Sequence, residues 1–243
     1  IREVAYEQIP RARRAELHRL AAEWVETLPA DRAEGRAELL AHHYVQALGY
    51  ARATGEETAG LAARTAGALR EAGDRARAVY AVETAAEHYR RALEFAGSRL
   101  ERGELGLALA EMELRAGQVE EAHARLDDVV SIAREEHQPS LLARAALARG
   151  GVGVSVFDPD ETLVALFEEA LDALGDDEPA LRARLLARLA IEVYYVPPSS
   201  YRETLSAEAV RLARDAGEPG ALLDALNARR VTLWNPDRLD ERL

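Results

Sequence analysis

The residues best able to do chemistry in this chain are its histidines. Two of the six stand side by side in Leu39-Leu40-Ala41-His42-His43-Tyr44. Neighbouring residues on a helix point about 100° apart, so His42 and His43 do not share a face. A metal-binding pair on one helix needs i, i+4 spacing, and neither H-x-x-x-H nor H-E-x-x-H occurs. The expected role of His43, on the apolar side with Leu40 and Tyr44, is hydrogen-bonded packing; a ligand or switch role is the rarer alternative. His18, beside Arg14 and Arg19, reads as a junction contact. His88, His123 and His137 are scattered singly and are expected to be exposed, and no Ser–His–Asp arrangement emerges.

The other reactive types are mostly missing. There is no Cys, hence no disulfide, thiolate nucleophile or Cys-based zinc site. All 31 basic residues are Arg, so there is no Walker A lysine, Schiff base or Lys general base. The glycine run Gly150–Phe157 (GGVGVSVF) is not G-x-G-x-x-G and follows no strand; a helix end and loop are expected there. Carboxylate pairs such as Glu120-Glu121, Asp127-Asp128 and Glu168-Glu169 read as solvated helix faces. Glu178/Arg182 and Arg188/Glu192 read as i, i+4 ion pairs worth about 0.3 kcal/mol each. The Arg clusters at Arg11/Arg13/Arg14, Arg182/Arg184/Arg188 and Arg229/Arg230 lack interleaved aromatics, which argues against a nucleic-acid surface. Tyr194 and Tyr195, before Val196-Pro197-Pro198, form a hinge-like loop and a candidate interaction point. The expectation is therefore no catalytic residue, no cofactor and no metal ligand.

The elements that must position these residues are helices. Composition is rich in Ala, Leu, Glu and Arg, the residues that lose least on entering a helix. A net charge of −12 opposes general phosphate-backbone binding. No run approaches a membrane span, and no signal pattern opens the chain, so neither membrane nor export is expected. In 11–28 the apolar residues Leu17, Leu20, Ala21, Trp24, Val25 and Leu28 fall on one helical stripe, after Pro10 and before Pro29. Asp31-x-x-Glu34 reads as a capping box for a helix to about Ala53, with Gly55 as its stop. Asp158-Pro159-Asp160-Glu161 reads as a start with Asp158 as cap, and Ser200-x-x-Glu203 as another box. The last full helix is expected over 221–234, with Asn235-Pro236-Asp237 opening one more.

The helices repeat. Ala85, Tyr89 and Ala92-Leu93 have the spacing small, large four later, small three later, aliphatic. Ala122, Leu126 and Val129-Val130 repeat it, as do Leu163, Phe167 and Ala170-Leu171. A degenerate fourth copy is Arg202, Ser206, Ala209-Val210, and the intervals are 37, 41 and 39 residues. Small residues let the helices of a hairpin approach, and the large one fills the hole toward the next hairpin. In the first copy Leu69, Ala72, Gly73 and Ala76 precede Ala85 as a tetratricopeptide pattern requires. The predicted fold is all-α, a TPR-like superhelix of antiparallel hairpins. About four repeats would run over 57–243, after a related helical pair at 10–56.

Beyond the repeat, IREVAYEQIPRARRAELHRLAAEWVE resembles the junction after the ATPase module of large bacterial STAND signalling ATPases. Ile1–Tyr6 matches its first half, and Arg14, Leu17, His18 and Ala22 its second. Leu39–Tyr44, Leu69–Ala76, the stretch from Leu166 to Ala190 and the last 23 residues look like the same family. The resemblance implies that 1–9 is the tail of an upstream winged-helix region, that the chain is a piece of a longer protein, and that nucleotide-binding residues lie before Ile1. Such parents carry a class III nucleotide cyclase or a LuxR-type or other DNA-binding effector. The function so implied is a cytoplasmic, non-enzymatic sensor or regulatory arm, with a protein, peptide or small effector in its concave groove and the ATPase module in cis. The alternatives are a helical enzyme with a carboxylate or His pocket, and a DNA-contacting accessory domain.

Overall fold

The computed structural model describes residues 6–28, 35–151 and 160–234. Among them the chain is all-α, with eleven helices and no strand. They are α1 (Arg11–Glu26), α2 (Arg36–Thr54), α3 (Ala59–Ala78), α4 (Val82–Leu93), α5 (Arg99–Arg115), α6 (Val119–Glu135), α7 (Pro139–Gly150), α8 (Glu161–Leu174), α9 (Pro179–Glu192), α10 (Ser199–Ala216) and α11 (Pro219–Thr232). No described helix is long and apolar enough to cross a membrane. The chain divides into two compact units, Ile1–Arg125 and Leu126–Leu243, and the division falls inside α6.

In the first unit α1 packs on α2, α2 on α3, α3 on α4 and α4 on α5. The first pair is antiparallel, since Arg14 meets Tyr50, His18 meets His43, and Glu26 meets Tyr44. Its core is built from alanines and a few large anchors: Ala22, Val25, Leu40, Tyr44, Leu69, Ala85, Tyr89 and Met112. Tyr44 and Tyr89 have no solvent-exposed surface, and each sends its hydroxyl to a carboxylate on the preceding helix, Glu26 and Asp74, at 2.7 Å. A buried phenol thus keeps its apolar body in the core and its polar tip satisfied. Burial, then the hydrogen bond to the carboxylate, pushes both phenols well above their ordinary range.

In the second unit α7 packs on α8, and α9 packs on α7, α8, α10 and α11, with α10 on α11. Phe167 on α8 takes the anchoring position and is fully buried. A glycine receives the ring in both units. A Cβ on Gly73 would stand 2.7 Å from the Tyr89 ring, and one on Gly150 would stand 2.9 Å from Phe167. At the degenerate fourth copy the large residue is Ser206, fully buried, and hydrogen bonds fill the place of an apolar side chain. Ser206 Oγ donates to the Glu203 carbonyl and accepts from Thr232 Oγ1 at 2.8 Å.

Side-chain links between a helix and the next but one recur in both units. In the first, Arg64 donates to Glu26 and Arg77 to Glu111; in the second, Arg134 to Glu169, Ser140 to Glu178 and Arg184 to Asp224. Their partners lie 34 to 40 residues apart in sequence. Pairs of elements repeating at that interval and touching their neighbours are what a helical-repeat sequence requires.

Several local expectations are corrected. On α1 the buried residues are Ala15, Ala22 and Val25, while Leu17, Leu20 and Trp24 are exposed, Trp24 by 63%. Hydropathy picks out the large residues, but the small ones make the close contact with α2. Asp160, not Asp158, caps α8, accepting from the Thr162 and Leu163 amides. Ser200 makes no cap either: α10 starts at Ser199 behind Pro198, so Ser200 is already inside the first turn. The last helix spans Pro219–Thr232, because Glu218 accepts from the Gly220 and Ala221 amides two residues before the expected start. Arg182 pairs with Asp176 and donates to the Leu171 and Gly175 carbonyls at the end of α8, rather than bonding Glu178. The Asp31-x-x-Glu34 box, Pro29, Asp158, Pro159, most of the Gly150–Phe157 run and Asn235-Pro236-Asp237 lie outside the described residues.

Candidate functional site

The repeat-packing residues Ala85, Tyr89, Ala92, Ala122, Leu126, Leu163, Phe167, Ala170 and Ala209 are all buried in the core of their own unit. They build the scaffold and present nothing to a ligand. The polar residues singled out near the start behave differently, because α1 and α2 carry them to one place.

Antiparallel packing of these two helices brings His18 opposite His42 and His43. The ring centroids of His18 stand 6.0 Å from those of His42 and 5.2 Å from those of His43. His18 Nδ1 lies 2.9 Å from His43 Nδ1, and one nitrogen from each of the three rings falls within 4.8 Å of the others. Tyr44, next in sequence, turns the other way into the core toward Glu26. The 100° step between adjacent helical residues therefore separates Tyr44 from the cluster but not His42 from His43, whose side chains are long enough to converge on the facing helix.

Behind the imidazoles runs a chain of hydroxyls. Tyr6 Oη lies 2.7 Å from His18 Nε2 and donates to Tyr50 Oη at 3.3 Å, which also accepts from Arg14 at 3.5 Å. The Arg14 guanidinium stands 4.8 Å from the Tyr6 ring centre and 5.4 Å from that of Tyr50, and it donates to the Ile9 and Glu7 carbonyls. Arg14 therefore ties residues 6–9 to α1 and α2 through cation–π and hydrogen-bond contacts.

Electrostatics follow from this layout. Burial, then the neighbouring imidazoles, lowers the pKa of His18, and burial followed by His42 lowers that of His43. Burial raises the Tyr6 phenol, and hydrogen bonds from Tyr6 and then Arg14 lower that of Tyr50. The half-buried imidazoles His18 and His43 are held in the neutral form, with nitrogen lone pairs available at neutral pH.

The remaining residues stay apart. Tyr194 and Tyr195 sit at the end of α9 with centroids 4.9 Å apart and edge-on; Tyr195 is exposed, and Arg202 stacks on Tyr194 at 4.8 Å while donating to its carbonyl. His88 is half-buried rather than exposed, as is His123; His137 is exposed. A cleft of about 250 Å³ is lined by Ala12, Ala15, Glu16, Arg19, Ala51, Glu56 and Leu61, and holds no histidine.

Sequence reasoning missed two buried acids. Glu113 accepts both Arg125 Nε and a terminal Arg125 nitrogen at 2.9 Å, and Glu192 pairs with Arg188 on its own helix. Both carboxylates are almost fully buried. The i, i+4 spacing gave the second pair but not its burial, and nothing in the pattern of α5 marks Glu113 as inward-facing.

No family model matches the chain, and no curated protein is similar to it. Among solved structures the chain is similar to BtubC (BKLC) from P. vanneervenii. The likeness has a TM-score of 0.54 at 12% identity and covers 97% of this chain and 87% of that one. At that identity it speaks for the helical fold alone.

Proposed function

We propose that this chain is a non-catalytic helical-repeat scaffold, the regulatory arm of a larger cytoplasmic signalling ATPase whose output is a cyclase or a transcription regulator. Its TPR-like hairpins would stack into a curved array, whose concave side takes a protein, a peptide or a small effector. The observation that carries the repeat reading is the recurrence, in each unit, of side-chain links between residues 34 to 40 apart.

The reading as an arm rests on the junction residues. Arg14 and Tyr6, matched by the STAND-type pattern, anchor residues 6–9 to the first helix pair. A segment tied down in this way would hold an upstream module in a fixed orientation to α1 and α2. Binding of an effector along the array would then favour one arm position and so bias the module.

The reading frame upstream of Ile1 is the first test. It is expected to encode a glycine-rich phosphate loop. In that parent, replacing residues 10–243 by a flexible linker is expected to uncouple ATP turnover from the stimulus that normally changes it. An upstream frame without such a loop, or a deletion variant that responds to the stimulus as the intact parent does, would contradict the proposal.

A further inference from the structure

We propose that His18, His42 and His43 form a three-imidazole site for a divalent transition-metal ion of the zinc class, bridging α1 and α2. This inference is independent of the signalling role argued above, since it rests on geometry within the first helix pair.

Convergence is the first argument. One nitrogen from each ring lies within 4.8 Å of the others, and the Nδ1 atoms of His18 and His43 are 2.9 Å apart. Zinc binds imidazole nitrogen at about 2.0–2.1 Å, which places ligand nitrogens about 3.3 Å apart in a tetrahedron. The His18–His43 pair has to open by a few tenths of an ångström, and His42, exposed at the rim, has to swing inward. Both are side-chain movements.

Tautomer is the second argument. Tyr6 donates its hydroxyl hydrogen bond to Tyr50, whose oxygen also accepts a hydrogen bond from Arg14. With Tyr6 donating to Tyr50, the Tyr6 oxygen is an acceptor, and the tautomer of His18 that fits the 2.7 Å contact carries its hydrogen on Nε2. His18 Nδ1 is then a lone pair aimed at His43. A metal-bound histidine has this construction: one ring nitrogen on the ion, the other donating to an oxygen that fixes the ring. Without metal, His43 fills the gap by donating from Nδ1 to His18. With metal, that proton moves to His43 Nε2 and Nδ1 becomes the second ligand. The imidazoles stay neutral, and no net proton is released.

The donor set selects the ion. Three imidazoles with no carboxylate or thiolate suit zinc, copper or nickel and disfavour calcium and magnesium. Three protein ligands leave the fourth tetrahedral position open to water or to an incoming group. The Arg14 charge is engaged elsewhere, stacked on the rings of Tyr6 and Tyr50 and bonded to the Ile9 and Glu7 carbonyls.

The test is a titration of the full 243-residue chain with zinc against a chromogenic chelator, and with cobalt(II) followed by its visible ligand-field absorption. One equivalent is expected to bind with micromolar or tighter affinity and a four-coordinate cobalt spectrum. His42→Gln, at the exposed rim, should keep the wild-type circular dichroism and weaken binding by roughly 10-fold or more; Tyr6→Phe, which removes only the supporting hydroxyl, should weaken it by about 10-fold. His123→Gln and His137→Gln, outside the cluster, should bind as the wild type. If His18→Gln disturbs the α1–α2 packing, His42→Gln and His43→Gln carry the result. Absence of saturable binding at one equivalent, or wild-type affinity in both the His42→Gln and His43→Gln variants, would overturn the proposal.

Discussion

At the scale of single residues, the fold depends on a few positions where size or charge admits no substitute. Gly73 is one, because any Cβ there meets the Tyr89 ring at 2.7 Å. The ring is fully buried and its hydroxyl is held by Asp74, so it cannot easily retreat. Gly73→Ala is expected to destabilise the chain by about 1–3 kcal/mol despite alanine's better helix propensity, read from the denaturant midpoint. Unchanged or increased stability would show that the ring yields. Glu113 is the second position. Its side chain is 3% exposed and is satisfied by both nitrogens of one edge of Arg125. Arg125→Ala strands that charge and should cost about 3–5 kcal/mol, whereas replacing both residues by apolar ones should recover much of the loss. Equal stability of single and double variants would contradict this. The anchoring residues Ala85, Tyr89 and Phe167 were legible in the sequence because size and spacing alone define them. Glu113 was not, since a glutamate on an alanine-rich helix gives no sign that its partner arrives from the next helix.

At the scale of elements, most helices could be located from periodicity, but the face each one buries could not always be. On α1 the larger side chains Leu17, Leu20 and Trp24 point outward, and the alanine face meets α2. The rule that large apolar residues go inside fails where close backbone approach is worth more than area. Helix starts were ambiguous for a related reason. Asp158-Pro159-Asp160-Glu161 pointed to Asp158 as the cap, and geometry selects Asp160. The imidazole cluster was invisible for a third reason: its members lie 25 residues apart on two helices, so no one-helix motif contains them. One consequence on α4 is measurable. His88 is half-buried and its Nδ1 finds no hydrogen-bond partner. Burial, then Arg91, lowers its pKa from the ordinary 6.5, against the opposing charges of Glu38 and Glu87. The folded state thus takes up this proton less readily than the unfolded chain. The contribution of His88 is complete above pH about 6.5 and is lost as pH falls from there toward the lower folded value. His88→Gln should flatten the stability–pH curve just below about pH 6.5 relative to wild type; identical slopes would refute the assignment.

At the scale of the whole molecule, each of the two units is a run of helices packed on their neighbours, as a helical-repeat array requires. Its all-α class followed from composition and periodicity, because Ala, Leu, Glu and Arg leave few other choices. Two of the three intervals of the anchoring pattern in the sequence, 37 and 39 residues, fall within the 34- to 40-residue spacing of the side-chain links between helices, and the third, 41, lies one residue beyond it. The division inside α6 was not legible, since an amphipathic helix looks the same whether both ends serve one unit or two. In such an array, stability is a sum over nearest neighbours, and a local defect stays local. Native-state hydrogen exchange on Gly73→Ala tests this most directly. The account predicts lost protection in α3 and α4 and partial loss in α2 and α5, with α9, α10 and α11 exchanging as in the wild type. A uniform fall in protection across all the helices would mean that the chain unfolds as one cooperative globule, and the repeat account would be wrong.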